Sequence, residues 1–198
     1  MSIFQSWIEQ DRAVVAVDTL AYAATGELVE SNKMVILAQS NSVMACRGSQ
    51  LAFFQVLAQV WLVPGLTSYD NLAEKLPELI SWAAANFPAG FPDEATQCEV
   101  HLVGWSEAKQ SMAGVTYVAD LNAKTAKLFG EVNRCRVAPL PKVPIPACFD
   151  DQRALQLARD QVAWMEGNTP TAVTGGRLLV AEITRAGTNV RDLGAING

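Results

Sequence analysis

The chain has 198 residues, half of them hydrophobic and 18% charged, and a formal net charge of −5. That composition excludes a disordered chain and supplies the core of one ordinary to large domain spanning residues 1–198. Lysine and arginine nowhere cluster, which excludes nucleic acid and anionic membrane surfaces as partners.

The opening "MSIFQSWIEQDR" lacks the basic-then-apolar layout of a secretory leader. Residues 2–8 and 13–19 read instead as a hairpin turning at "EQDR", its second arm rich in β-branched residues. "KMVILAQ" and "SVMACR" read as a second hairpin through the polar turn "SNS". Gly48 and Ser49 then open a helix over 49–62, with Leu51, Phe54, Leu57 and Trp61 at helical spacing, ended by Pro64 and Gly65. "LAFFQVLAQVWLV" within it is the longest apolar run; it is too short for a membrane span and carries two glutamines. A second helix, 69–86, starts at Ser68 or Asp70, both competent N-caps, and buries Leu72, Leu76, Leu79, Ile80 and Ala83.

After the loop "PAGFPDEATQ", strands return as "CEVHLVGWS" and "GVTYVADLN", with "AKLFGEVN" extending the pair. Residues 137–149, "VAPLPKVPIPACF", hold four prolines and read as an extended connector, neither helix nor central strand. Asp150 or Asp151 caps a helix running to about Glu166, and "GGRLLVAEITRAGTNVRDLGAI" closes as a hairpin. Strands and helices come in blocks, which favours an α+β arrangement of antiparallel sheets over a parallel βαβ sheet.

The cysteines, Cys46, Cys98, Cys135 and Cys148, form no CxxC pair, and His101 is the single histidine, so no metal site or cofactor is expected. Scattered reduced thiols fit a cytoplasmic protein. His101 shares a strand face with Glu99 and Val103 and reads as a tolerated strand histidine; Cys46 reads as a small core group. Gly175-Gly176 is not a phosphate loop, because no lysine follows and the next element is a strand.

Two ionised groups stand out: Asp18 inside the strand-like "AVVAVDTLAY" and Lys33 just before "MVIL". With "MACRGSQLAFF", "HLVGWS…GVTYVADLNAKT" and "TAVTGGRLLVAEI", in that order along nearly the whole chain, they resemble a proteasome β-subunit of the N-terminal nucleophile hydrolases. The resemblance implies a four-layer α-β-β-α sandwich: two antiparallel sheets flanked by helices, 49–62 and 69–86 on one outer face and 151–166 on the other. It implies assembly as a homo-oligomer and a peptide or protein as substrate. It also implies a chemistry, in which the first residue's hydroxyl is activated by its own α-amine, while a lysine held by an aspartate favours the neutral amine. Carried across, Ser2 takes the nucleophile position, 16 residues before Asp18, and Asp18 and Lys33 form the ion pair. The N–H of Arg47 or Gly48 takes the oxyanion-donor position, and Thr171 and Thr174 fall in the supporting segment.

The sequence departs from that pattern in ways that bear on activity. Leu20 stands where a basic residue is usual, Thr171 where the family has aspartate, and Arg47 where it has glycine. The serine-containing segment before the third helix is replaced by the proline connector. Ser2 acquires a free amine only if Met1 is removed. Two readings follow: a degenerate, self-assembling structural or binding subunit, or an active N-terminal-serine amidohydrolase or peptidase using Ser2, Lys33 and Asp18.

Overall fold

The computed structural model describes residues 2–22, 26–88, 96–169 and 173–197. Strands β1 (Phe4–Ile8) and β2 (Arg12–Asp18) form the first hairpin, and β3 (Leu20–Tyr22) and β4 (Leu28–Glu30) a short second one. Next come β5 (Met34–Leu37), β6 (Ser42–Gly48), and helices α1 (Gln50–Leu62) and α2 (Tyr69–Ala85). They are followed by β7 (Gln97–Ser106), β8 (Ser111–Asp120), β9 (Thr125–Glu131) and β10 (Cys135–Ala138). The chain closes with α3 (Asp151–Asn168), β11 (Arg177–Thr184) and β12 (Gly187–Ala195).

All pairings are antiparallel. One sheet runs β10-β1-β2-β11-β12, a second runs β5-β6-β7-β8-β9, and β3-β4 stands as a third. Strand alternation sends one row of side chains to each side of a sheet. Phe4, Val15, Val17, Ala181 and Ile183 thus meet Met34, Val43, Ala45 and Val103 between the two large sheets. Ile3, Trp7, Val14, Ala16 and Val180 face Leu157, Ala158 and Val162 of α3. Met44, Val100 and Leu102 face Phe53, Val56 and Leu57 of α1 and Leu72, Leu76 and Ile80 of α2.

The expected four-layer α-β-β-α sandwich of two sheets is corrected: the chain is mostly antiparallel sheet, in three sheets, with three helices among the described residues. The third sheet arises because Leu20–Tyr22 and Leu28–Glu30 pair only with each other. On the outer face of the first sheet, α3 is joined by the proline-rich stretch in place of further helix. Trp7 Nε1 donates to the Pro146 carbonyl at 3.0 Å, and Phe149 packs edge-on against Trp7. Repeated prolines deny that stretch the helical hydrogen bonds it would need. Its first residues, Val137 and Ala138, are strand, which an edge position tolerates immediately before Pro139.

The face assigned to α1 is also corrected. The helix buries Ala52, Phe53, Val56, Leu57 and Val60, whereas Leu51, Phe54 and Trp61 are exposed. With no charged residue in the helix, apolar side chains circle it and nothing in the local pattern marks the solvent side. Ser49, Ser68 and Asp150 cap the three helices by accepting from Ala52 N–H, Asn71 N–H and Arg153 N–H. Asp70 takes a different task, accepting from Ser106 Oγ at 2.6 Å and Ala108 N–H at 3.1 Å and so pinning the β7–β8 turn to α2.

Candidate functional site

The end of β2 carries Asp18 into the interior, and the residue before β5 sends Lys33 to meet it. Lys33 Nζ lies 2.9 Å from Asp18 Oδ2, with the two side chains 2% and 0% exposed. A desolvated charge survives only if its remaining hydrogen-bonding capacity is filled. Here it is. Asp18 Oδ1 accepts Ile3 N–H at 2.8 Å, and Oδ2 also accepts Gly175 N–H at 3.1 Å. Lys33 Nζ donates a second bond to the Leu20 carbonyl at 2.5 Å. Burial raises the Asp18 pKa above the ordinary carboxylate value, while the Lys33 ammonium and the Ile3 and Gly175 amides draw it back. The pair therefore ties together the starts of β1 and β11, the end of β2 and the approach to β5.

Thr19 backs this centre. Its N–H donates to the Gly175 carbonyl at 3.3 Å and its Oγ1 accepts Arg177 N–H at 2.9 Å. Gly176 has φ +75°, and a Cβ there would meet Thr19 Oγ1 at 2.5 Å, so glycine is required where the two segments touch.

A second charged cluster adjoins Ser2. Arg47, at the end of β6, donates through Nε to the Ser2 carbonyl at 2.7 Å and through Nη1 to Glu99 Oε1 at 2.5 Å. Glu99 Oε2 receives Arg136 Nη2 at 3.0 Å and lies 3.6 Å from His101 Nε2. Desolvation lowers the Arg47 pKa and the Glu99 carboxylate opposes that shift. The His101 ring stacks on Phe4, with centroids 3.6 Å apart and planes within 9°, and its Nδ1 bonds Thr116 Oγ1 at 3.0 Å.

His101 supplies a pH prediction. Burial holds its pKa well below the ordinary histidine value, and the Arg136 and Arg47 guanidiniums push it further down. The folded protein keeps it neutral, while the unfolded chain protonates below about pH 6.5. Unfolding therefore takes up a proton in that window. Stability is full above about 6.5 and falls with acidification by up to ~1.4 kcal/mol per pH unit until the folded-state pKa is reached. Urea titrations between pH 7.5 and 5.5 should show this slope, and His101→Gln should flatten it. An unchanged slope in that variant would refute the assignment.

Of the residues singled out from the sequence, the structure brings Asp18 and Lys33 together and sets Asp18 against the Ile3 amide, next in the chain to Ser2. Ser2 is buried, and Arg47 and Gly48 end β6 in register with Glu99 and Cys98. Thr174 is buried just ahead of Gly175, while Thr171 lies outside the described residues. Sequence reasoning missed the Gly175 amide, the Leu20 carbonyl and the Glu99–Arg136 pair. Only Glu99 left a signal, as a charge alternating with His101 on an otherwise apolar strand. Among the described residues no three His, Cys, Asp or Glu side chains gather as metal ligands, and no helix is long and apolar enough to cross a membrane.

Two large antiparallel sheets with helices packed against them form a fold that this chain shares with solved Anbu structures. The chain is similar in structure to Anbu (ancestral beta-subunit) from Yersinia bercovieri, with a TM-score of 0.62 at 12% identity over 97% of this chain and 87% of that one. A Gly-1 mutant of Anbu from Hyphomicrobium sp. strain MC1 gives 0.62 at 10% identity, covering 99% and 88%. The Anbu complex from Pseudomonas aeruginosa, described as a helical assembly, gives 0.65 at 14% identity, covering 97% and 86%. No family model and no curated protein sequence matches the chain. The resemblance to a proteasome β-subunit of the N-terminal nucleophile hydrolases is thereby corrected. These structural neighbours are Anbu proteins, proteasome-like but a distinct family, and the architecture is mostly sheet rather than that superfamily's sandwich. The resemblance rested on short motifs in order along nearly the whole chain, and short motifs of this kind do not separate one proteasome-like family from another.

Proposed function

We propose that this protein is a proteasome-related, self-assembling subunit in which the Asp18–Lys33 centre anchors the start of the chain instead of cleaving peptide bonds. The observation that carries this reading is the setting of Ser2. It is buried, its carbonyl oxygen is held by the Arg47 guanidinium, and Glu99 pairs with that guanidinium and is itself paired with Arg136. Any rearrangement that freed the Ser2 backbone would have to break a buried arginine away from its carboxylate partner, which is costly. The exposed Phe54, Trp61 and Leu62 of α1 support the assembly half of the reading, because contiguous apolar surface of this kind is usually covered by another subunit.

A second reading keeps the hydrolase. Lys33 and Asp18 lie beside the head of β1, where an ammonium would favour the neutral form of an amine on Ser2 once Met1 is removed. Intact mass of natively expressed protein, followed by exposure to a serine-reactive β-lactone, separates the two. The expected result is no stoichiometric labelling of Ser2, whether or not Met1 is retained. Complete labelling at Ser2 that is lost in Lys33→Met, with that variant still folded, would establish the hydrolase.

A further inference from the structure

We infer that two copies of this chain pair through α1, antiparallel about a two-fold axis at the level of Val56. The inference rests on the self-assembly reading and names its contact. Leu51, Phe54, Trp61 and Leu62 are 40%, 48%, 64% and 73% exposed, and Ala58 lies exposed between them. The spacing of 51, 54, 58 and 61 is three, four and three residues, the repeat that lines one seam of a helix facing another helix.

The seam is complementary to itself in one orientation. Turned antiparallel about Val56, Phe54 of one copy meets Ala58 of the other, and Leu51 meets Trp61. The largest side chains face small or medium ones, as close helix packing at ~8–10 Å requires. A parallel arrangement would set Trp61 on Trp61 and Ala58 on Ala58, leaving a clash beside a gap. Charge points the same way. Each copy carries −5 overall, yet α1 contains no charged residue, so two copies meeting along this helix bring no like charges of the helix together. At these exposures the seam offers on the order of 500 Å² of apolar side chain per copy, judged from ~150–250 Å² per large aromatic group. A standard interface needs ~800 Å² per partner, so the seam supplies its apolar centre and the flanking Gln55 and Gln59 part of the rim. An isologous contact of this kind also closes, whereas a head-to-tail one propagates.

The test uses the full chain with Cys135→Ala and Cys148→Ser, to which Leu51→Cys or Leu62→Cys is added separately. With a short bismaleimide, a mixture of the two populations is expected to give crosslinked dimer joining 51 to 62. Each population alone should give little, because like positions lie about 15 Å or more apart along the antiparallel axis at 1.5 Å per residue. Trp61→Glu, which leaves the buried face of α1 untouched, should raise the dissociation midpoint by 30-fold or more with unchanged far-UV circular dichroism. Crosslinking of Leu51→Cys copies to one another would overturn the antiparallel pairing. An oligomer that persists in Trp61→Glu with no 51–62 product would overturn the inference while leaving self-assembly standing. A monomer of the unmodified chain by light scattering across micromolar concentrations would overturn both.

Discussion

Lys33→Met is expected to cost about 3–5 kcal/mol of unfolding free energy at neutral pH, the range for removing one partner of a buried ion pair. The variant leaves the Asp18 carboxylate without solvent access and with only the Ile3 and Gly175 amides as donors, and it strips the Leu20 carbonyl of its ammonium. The remaining charge has one escape, protonation. Its pKa, already raised by burial, should rise further without the lysine. The penalty should therefore shrink as pH falls through that shifted value, because a neutral carboxyl no longer demands a counter-charge. Adding Asp18→Leu should not restore the native level. The Ile3 and Gly175 amides would then lie buried without acceptors, at ~1–3 kcal/mol each. Urea unfolding of the two variants at pH 7 and pH 5 measures all of this. A loss below ~1 kcal/mol for Lys33→Met at pH 7 would mean that the pair is solvated, since exposed pairs are worth no more.

Gly48→Ala is the second substitution with a large expected effect, on the order of 4 kcal/mol, the upper end of single-residue changes. Gly48 ends β6 with φ +89°, and a Cβ there would lie 2.0 Å from the Gln97 carbonyl oxygen. The obstacle is backbone, fixed by the β6–β7 register and by Ser49 N–H donating to that same oxygen at 2.9 Å. No side chain can swing aside, so either the ladder opens or α1 starts elsewhere. Gly65→Ala is the control. Its φ is +86° but nothing lies within 4 Å of the added carbon, so only the left-handed backbone strain of about 1–2 kcal/mol applies. Thermal unfolding of both should separate steric from conformational cost. Equal losses would show that the Gln97 contact is relieved at no expense.

Much of the architecture was legible because local chemistry and global fold agree. The three helices begin after Ser49, Ser68 and Asp150, side chains that satisfy the first orphan amides wherever the chain lies. The hairpins β1–β2, β7–β8 and β11–β12 follow from alternating apolar runs separated by polar turns. The β3–β4 hairpin escaped notice because three-residue strands of mostly exposed side chains leave no periodic signature. The outward face of α1 was misassigned for the opposite reason, since apolar residues cover the helix all round.

At the candidate site, the sequence by itself showed Asp18 inside an apolar strand and Lys33 at the edge of another; the family resemblance paired them, and neither charge could be buried alone. It did not determine what else completes that centre. The Gly175 amide, the Ile3 amide and the Leu20 carbonyl belong to backbone, which every residue carries and no pattern distinguishes. The same holds for Arg47. In the sequence it is a substituted glycine beside a turn. Only the pairing of β6 with β7, and of β1 with β10, brings Glu99 and the Ser2 carbonyl within reach of its guanidinium and Arg136 within reach of Glu99. Long-range strand register decided that Ser2 lies enclosed under a paired arginine, because those contacts join residues far apart in the chain and leave no local trace.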